Sequence, residues 1–186
     1  MIEPREVMPV LKSGKIEFVV MGLYGLSAWL KKPRATDDFD ILVPIRQVKP
    51  TVKLLCGAFP ELKPKTTEVV IRLYQHETPV IDVMKPHHPL FAETLKSARW
   101  SDVEGHRVRV PSLEMSLALK FFAMVSPHRS QEKSFQDAHD FILLVKNNTK
   151  IEMNKLHEYG ELAFSGGGAE LTGKVEDVRA GRRMEI

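Results

Sequence analysis

The chain has 186 residues, of which 43% are hydrophobic and 27% are charged, with a net charge of +3. This is ordinary globular usage, so wholesale disorder and collagen-like structure are excluded. The single cysteine excludes an internal disulfide framework and any cysteine-based zinc site. The weak positive charge permits an anionic ligand without requiring nucleic acid.

The hydrophobic pattern is that of a water-soluble protein. No apolar run approaches the roughly 18 residues of a membrane-spanning helix. The first ten residues contain acidic side chains and lack the apolar core of a signal peptide. We therefore expect a cytoplasmic protein with no membrane partner.

Short helices and strands alternate over the first 110 residues. In chain order, the pattern predicts a helix (Glu3–Leu11), a buried strand (Ile16–Met21), a helix (Leu23–Leu30), a strand (Asp38–Val43), a helix (Pro50–Ala58), two strands joined by a polar turn (Thr67–Tyr74 and Pro79–Met84), a helix (Pro89–Ala98) and a strand (His106–Val110). This order predicts an α/β core over residues 1–110.

The remainder of the chain has helical periodicity. Ser112 is a suitable N-cap for a first helix, Pro127 separates it from a second, and a third is predicted over Ile151–Ala163. We expect a helical C-terminal part over residues 111–164 and a flexible tail, rich in glycine and charge, over residues 165–186. The predicted class is α+β, with a mixed β-sheet, helices packed on it and a helical C-terminal part.

Three acidic residues on predicted strands are the strongest functional signal. Asp38 and Asp40 are two residues apart, so their carboxylates share one face of a strand. Two like charges about 4 Å apart repel by roughly 4 kcal/mol at an effective dielectric near 20, so a proton or a cation must offset them. Asp82 lies in an otherwise apolar strand, where a carboxylate requires a partner.

These acids suit a magnesium site beside a nucleotide. Mg²⁺ prefers oxygen ligands, and three carboxylates on neighbouring strands could hold two Mg²⁺ ions for phosphoryl or nucleotidyl transfer. Gly22, at a predicted strand-to-helix turn, allows close backbone approach to a phosphate at a helix N-terminus.

The segment from Gly22 to Val43 resembles the nucleotidyltransferase superfamily of the DNA polymerase beta type. It is most similar to the branch of AbiEii-like toxin–antitoxin nucleotidyltransferases, in which a glycine turn precedes Arg-x-Thr-x-Asp-h-Asp-h-h-Val, where h is apolar. The stretch RATDDFDILV carries this motif. The later helical segments PSLEMSLALKFFA and RSQEKSFQDAHDFILL also resemble that branch.

The resemblance implies an enzyme that transfers a nucleoside monophosphate from a nucleoside triphosphate to a hydroxyl acceptor. The acceptor is left open among RNA (such as a tRNA end), a protein and a small molecule, and a cognate toxin–antitoxin partner protein is implied. The implied catalytic and metal-binding residues are Asp38, Asp40 and Asp82. The implied nucleotide-binding residues are Gly22, Leu23, Arg34, Thr36, Lys120 and Lys133.

Other interpretations remain open. The chain has Gly22-Leu23 where the family has Gly-Gly or Gly-Ser, and Gln136-Asp137 where it has Lys-Asp, which favours a catalytically degenerate, antitoxin-like binding protein. A DNA-binding regulator is disfavoured by the weak charge. Asp82 could instead be an ion-paired strand residue. The enzyme hypothesis is contradicted if Asp82 lies on the far face of the sheet, or if a local arginine fills that corner.

Overall fold

The computed structural model describes residues 2–32, 34, 36 and 38–184. Pro33, which follows the predicted helix Leu23–Leu30, and Ala35 and Asp37 of the acidic motif lie outside the described residues. The chain divides into two compact units, one of residues 1–28 and 32–111 and one of residues 29–31 and 112–186. The predicted α+β class is confirmed, because a mixed sheet with helices forms the first unit and helices form the second.

The first unit is built on a β-sheet. Within the described residues its strands are β1 (Val19–Val20), β2 (Phe39–Leu42), β3 (Leu62–Thr66), β4 (Val70–Gln75), β5 (Thr78–Met84), β6 (Arg99–Val103) and β7 (His106–Val110). Their order is β3-β4-β5-β2-β1-β7-β6. The pairs β2–β5 and β1–β7 are parallel, and the other neighbours are antiparallel.

Helices pack against this sheet, two of them on the face that holds the main core cluster. The helices of the first unit are α1 (Pro4–Ser13), α2 (Gly22–Leu26), α3 (Val48–Ala58) and α4 (Pro89–Ser97), and a 3₁₀ turn (Ile45–Gln47) precedes α3. Residues of α1 and α3 join one core cluster with Phe39, Ile41, Ile81 and Val83 of the two central strands. Because side chains alternate along a strand, the residues between these core positions point to the other face.

The second unit consists of α5 (Leu113–Met124), α6 (Gln131–Asn147), α7 (Met153–Ala163) and α8 (Gly167–Arg179). The predicted cap is confirmed, because the Ser112 hydroxyl accepts the Met115 amide at 3.2 Å. Ser130 caps α6 in the same way, accepting the Lys133 amide. Over the described residues, no helix has the length and apolarity needed to cross a membrane.

Two strands escape prediction from the sequence, and both lie at an edge of the sheet. β3 has the sequence LKPKT and is exposed along most of its length. Its Pro64 has no amide hydrogen to donate to a neighbouring strand, and proline is therefore tolerated at a sheet edge. β6, at the opposite edge, is also largely exposed. An edge strand packs less of its surface, so its sequence carries a weaker apolar pattern.

The predicted flexible tail is wrong over Gly167–Arg179, which forms α8. Leu171 and Val175 of this helix are fully buried. The glycines permit a close helix contact, since a Cβ added to Gly160 would stand 2.6 Å from the Gly167 carbonyl oxygen. Glycine richness here reflects tight packing of α7 against α8.

Several predicted elements are shorter than expected. The strands predicted over Asp38–Val43 and Thr67–Tyr74 are reduced to β2 and β4. The strand predicted over Ile16–Met21 is reduced to β1, because the Ile16 amide bonds the Leu11 carbonyl and the Glu17 amide bonds the Gln47 side chain. The helix predicted over Leu23–Leu30 ends after Leu26.

Candidate active site

The central pair of acids is formed by the parallel strands β2 and β5. Asp40 and Asp82 occupy directly paired positions in the register of these strands. Their neighbours Phe39, Ile41 and Ile81 are buried in the core on the opposite face. Asp82 therefore lies on the same face of the sheet as Asp40, as the enzyme hypothesis requires.

Gly22 lies directly against the Asp40 carboxylate. Its φ of +55° is in the left-handed region, and a Cβ added there would overlap Oδ2 of Asp40. The backbone before it is also tied to β2, because the Met21 amide donates to the Asp40 carbonyl at 2.8 Å. Glycine at position 22 thus allows the strand-to-helix turn to pack on the acid.

Asp38 stands apart from the paired acids in one respect. It precedes β2, which begins at Phe39, and its Oδ1 accepts a hydrogen bond from the Thr36 hydroxyl. Asp38 and Thr36 line a cavity of about 230 Å³ together with Tyr24 and the first residues of α1. The sequence predicts Asp38 within this strand, whereas the structure places it one residue before β2 with its carboxylate hydrogen-bonded to Thr36.

Asp82 forms an ion pair with an arginine. Nε of Arg72, on β4, lies 3.2 Å from Oδ2 of Asp82. Partial burial acts to lower the pKa of the Arg72 guanidinium, but attraction and hydrogen bonding to Asp82 outweigh it and raise this pKa. One of the two conditions set against the enzyme hypothesis is therefore met, because a local arginine does occupy this corner. The enzyme hypothesis now requires that a metal ion displace Arg72, whose side chain is 41% exposed, from the Asp82 carboxylate.

Sequence reasoning missed Arg72 for a specific reason. An unbroken ladder continued from the β4–β5 turn would pair Arg72 with Ile81. A register shift between Leu73 and Tyr74 moves the pairing by one residue and brings Arg72 opposite Asp82. The alternation of apolar and polar residues along β4 indicates which face Arg72 occupies. No local sequence pattern indicates the register shift that pairs Arg72 with Asp82.

The acidic residues at this corner fit a metal ion only in part. Among the described residues, no group of three or more His, Cys, Asp and Glu side chains is arranged as a ready metal site. The paired carboxylates of Asp40 and Asp82 nevertheless suit Mg²⁺, which often takes one or two protein carboxylates and completes its shell with water and phosphate. The residues fit a divalent cation in this limited sense, with Arg72 as a competing cation.

The remaining predicted residues of the first unit have different surroundings. The side chain of Leu23 is buried, with 6% exposed, so a ligand could meet only its backbone. The α2 helix has five residues, and a helix this short sums few peptide dipoles toward a phosphate. Arg34 is exposed.

The two predicted lysines belong to the second unit, and the structure separates their roles. Nζ of Lys120 lies 2.7 Å from Oδ1 of Asp137 and 2.8 Å from Oδ2 of Asp140, and both aspartates are almost fully buried. Arg129 also pairs with Asp137, at 2.7 Å. Lys120 thus already neutralises buried charge, whereas Lys133 is exposed.

Solved structures share the fold. An antigenic nucleotidyltransferase-like protein from Paracoccidioides brasiliensis matches with a TM-score of 0.59 and 18% identity, covering 94% of this chain and 88% of its own. ANT(2″)-Ia in complex with adenylyl-2″-tobramycin matches with a TM-score of 0.59 and 13% identity, covering 83% and 91%. The Megavirus polyadenylate synthase matches with a TM-score of 0.54 and 17% identity over 77% of this chain, which spans 31% of that protein.

These similarities show that the chain has a nucleotidyltransferase fold. No protein-family model and no curated protein sequence matches the chain. At identities below a fifth, the solved structures support the architecture, and the chemistry has to be argued from the site itself.

Proposed function

We propose that the protein transfers a nucleoside monophosphate from a nucleoside triphosphate to a hydroxyl acceptor. The observation that carries this proposal is the register pairing of Asp40 with Asp82 beside the Gly22 turn. This arrangement occurs on a nucleotidyltransferase fold, and the sequence resemblance assigns Asp38, Asp40 and Asp82 to the catalytic positions.

In the proposed reaction, the acceptor oxygen forms a bond to the α-phosphorus. The bond between the α-phosphorus and the oxygen that bridges it to the β-phosphorus breaks. Pyrophosphate leaves, and the hydroxyl proton passes to solvent. Asp38, Asp40 and Asp82 would hold up to two Mg²⁺ ions, which when bound would neutralise phosphate charge and lower the pKa of the attacking hydroxyl.

The chain's own residues have separable tasks in this proposal. Gly22 leaves space for the backbone beside the Asp40 carboxylate, and Arg72 offsets the repulsion between Asp40 and Asp82. Thr36 orients the Asp38 carboxylate by donating its hydroxyl hydrogen. We assign Arg34 and Lys133 to phosphate contacts, because both are exposed cations at the positions the resemblance indicates.

The test measures transfer of label from α-labelled nucleoside triphosphates in the presence of Mg²⁺. RNA, the protein itself and tobramycin serve as acceptors of three chemical classes. Asp40→Asn keeps the shape of the side chain and removes its charge. If Asp40 is a ligand, we expect transfer to fall by more than the roughly 10–100-fold that is typical of losing a partner outside the ligand shell. Asp102→Asn, an exposed acid on β6, is the matched control and should retain activity. Undiminished transfer by Asp40→Asn would rule out the mechanism.

A second function is favoured by the Arg72–Asp82 pair and by the Lys120 cluster. Both place a protein cation on a carboxylate, as in a catalytically degenerate member of the fold that acts as an antitoxin-like regulatory binding protein. Calorimetry with each nucleoside triphosphate and Mg²⁺ separates the two functions. Binding supports the enzyme, and absence of binding for all four nucleotides supports the regulator. An AbiEii-like toxin–antitoxin setting in the cytoplasm rests on the sequence resemblance.

A further inference from the structure

A row of charged residues runs across the sheet at the candidate site. The register pairs Asp40 on β2 with Asp82 on β5, Asp82 with Arg72 on β4, and Arg72 with Lys65 on β3. Neighbouring strands lie about 4.8 Å apart, so the row extends roughly 14 Å from Asp40 to the edge of the sheet. Its charge changes from negative at the centre to positive at the edge.

At the positive end of the row, strand β3 contributes two lysines to the same face. Lys63 is two residues before Lys65 on β3, so the two side chains share a face and their Cα atoms lie about 7 Å apart. We name Lys63, Lys65 and Arg72 the basic strip. Both lysines are exposed, and the Arg72 side chain is 41% exposed.

The two lysines of the basic strip are available to a ligand. Among the residues that the structure describes, neither Lys63 nor Lys65 makes an ion pair, whereas Arg72 pairs with Asp82. The acids nearest in sequence, Glu61 and Glu68, lie just before β3 and in the β3–β4 connection, outside the strand positions of the strip. The two lysines therefore add positive charge beyond that of Arg72, which Asp82 already neutralises.

We infer that the basic strip binds the phosphate backbone of the acceptor, and that the acceptor is a single-stranded RNA end. This inference rests on the proposed function, and it narrows the open acceptor class. Cations on a surface leading to the site attract a polyanion and repel an amine-bearing sugar such as tobramycin. A phosphate chain that crosses β3 and β4 along this row would lead its terminal hydroxyl toward Asp82 and Asp40.

The test measures RNA binding without nucleotide or Mg²⁺, so it does not depend on catalysis. Anisotropy of a short fluorescein-labelled single-stranded RNA is recorded over a range of salt concentrations for wild type and for Lys63→Gln/Lys65→Gln. Loss of two phosphate contacts should weaken binding about 10-fold near 0.1 M salt, and reduce the slope of log K against log salt by about 1.4. The matched control is the double variant Lys49→Gln/Lys53→Gln. It removes two exposed lysines from α3, so it makes the same change in net charge on the opposite face of the sheet.

The outcomes are distinct. A loss confined to the β3 variant supports the inference. Equal losses in both double variants, unchanged binding by the β3 variant, or binding of tobramycin but not RNA by wild type would overturn it. A wild-type protein that binds RNA through the strip but transfers no nucleotide would refute the proposed reaction and leave the RNA surface supported. Calorimetry with inorganic pyrophosphate should give the same affinity for wild type and the β3 variant, and a loss there would assign the strip to the nucleotide instead.

Discussion

Gly22 lies closer to the Asp40 carboxylate than any residue with a side chain could. Two independent constraints act at this position, the left-handed φ of +55° and the overlap of an added Cβ with Oδ2 of Asp40. The first concerns the backbone alone, and the second concerns the acid that the proposed chemistry uses. A substitution here therefore tests stability and function together.

We predict that Gly22→Ala lowers the free energy of unfolding by about 1–2 kcal/mol through backbone strain alone, and abolishes nucleotide transfer by displacing Asp40. Chemical denaturation and the label-transfer assay measure the two effects. Gly57→Ala is the control, since Gly57 lies in α3 with open space around it, and we expect it to stabilise by up to about 1 kcal/mol. Equal stability of wild type and Gly22→Ala would contradict this account of the turn.

Among the elements, α7 and α8 are joined by a carboxylate that serves as a cap. Glu161 accepts hydrogen bonds from the amides of Gly166 at 3.1 Å and Gly168 at 2.9 Å, at the start of α8. These two bonds, that of Gly166 first, lower the pKa of Glu161. The folded state thus favours the ionised carboxylate more than the unfolded state does.

The depressed pKa fixes the sign of a pH effect. Stability from Glu161 is present above the ordinary glutamate pKa of about 4.3 and is lost as the pH falls through the lower folded pKa. Glu161→Gln should therefore be less stable than wild type at pH 7, and the difference should shrink from about pH 5 downward. Thermal unfolding at a series of pH values measures this. Glu158→Gln, an exposed residue of α7, should show no such convergence.

The helices α5 and α6 are linked by the buried cluster of Lys120, Asp137 and Asp140. Removing one member of a buried ion pair leaves uncompensated charge, so we predict that Lys120→Met lowers the free energy of unfolding by about 3–5 kcal/mol. Lys133→Met, on the exposed side of α6, should change it by less than about 0.5 kcal/mol. Denaturant titrations compare the two. A stable Lys120→Met with impaired nucleotide binding would return Lys120 to the site.

At the scale of the whole molecule, the sequence shows which side chains of a strand face the core more clearly than it shows which strands pair with each other. The apolar alternation around Asp40 and Asp82 is enough to predict that each acid leaves the core face of its strand. Their direct pairing depends on parallel contact between β2 and β5, which are separated by about 40 residues of chain, and no local pattern encodes it.

The limits of prediction are physical. The edge strands β3 and β6 bury little surface, and the glycines before α8 serve close packing, so hydrophobicity and composition mislead at both places. The partner of Asp82 depends on a one-residue register shift in β4 and β5. The candidate acids were therefore accessible from the sequence, whereas the arginine and the basic strip beside them required the sheet.

The contact between Gly22 and Asp40 also provides a diagnostic for relatives of this chain. Wherever the same two strands and turn are present, any side chain larger than hydrogen at position 22 forces the carboxylate to move. We expect a homologue that keeps the aspartate but carries alanine or serine at this glycine to retain the fold and to lack the proposed transfer activity. The residue at position 22 should therefore distinguish homologues that are capable of the proposed reaction from those that are not.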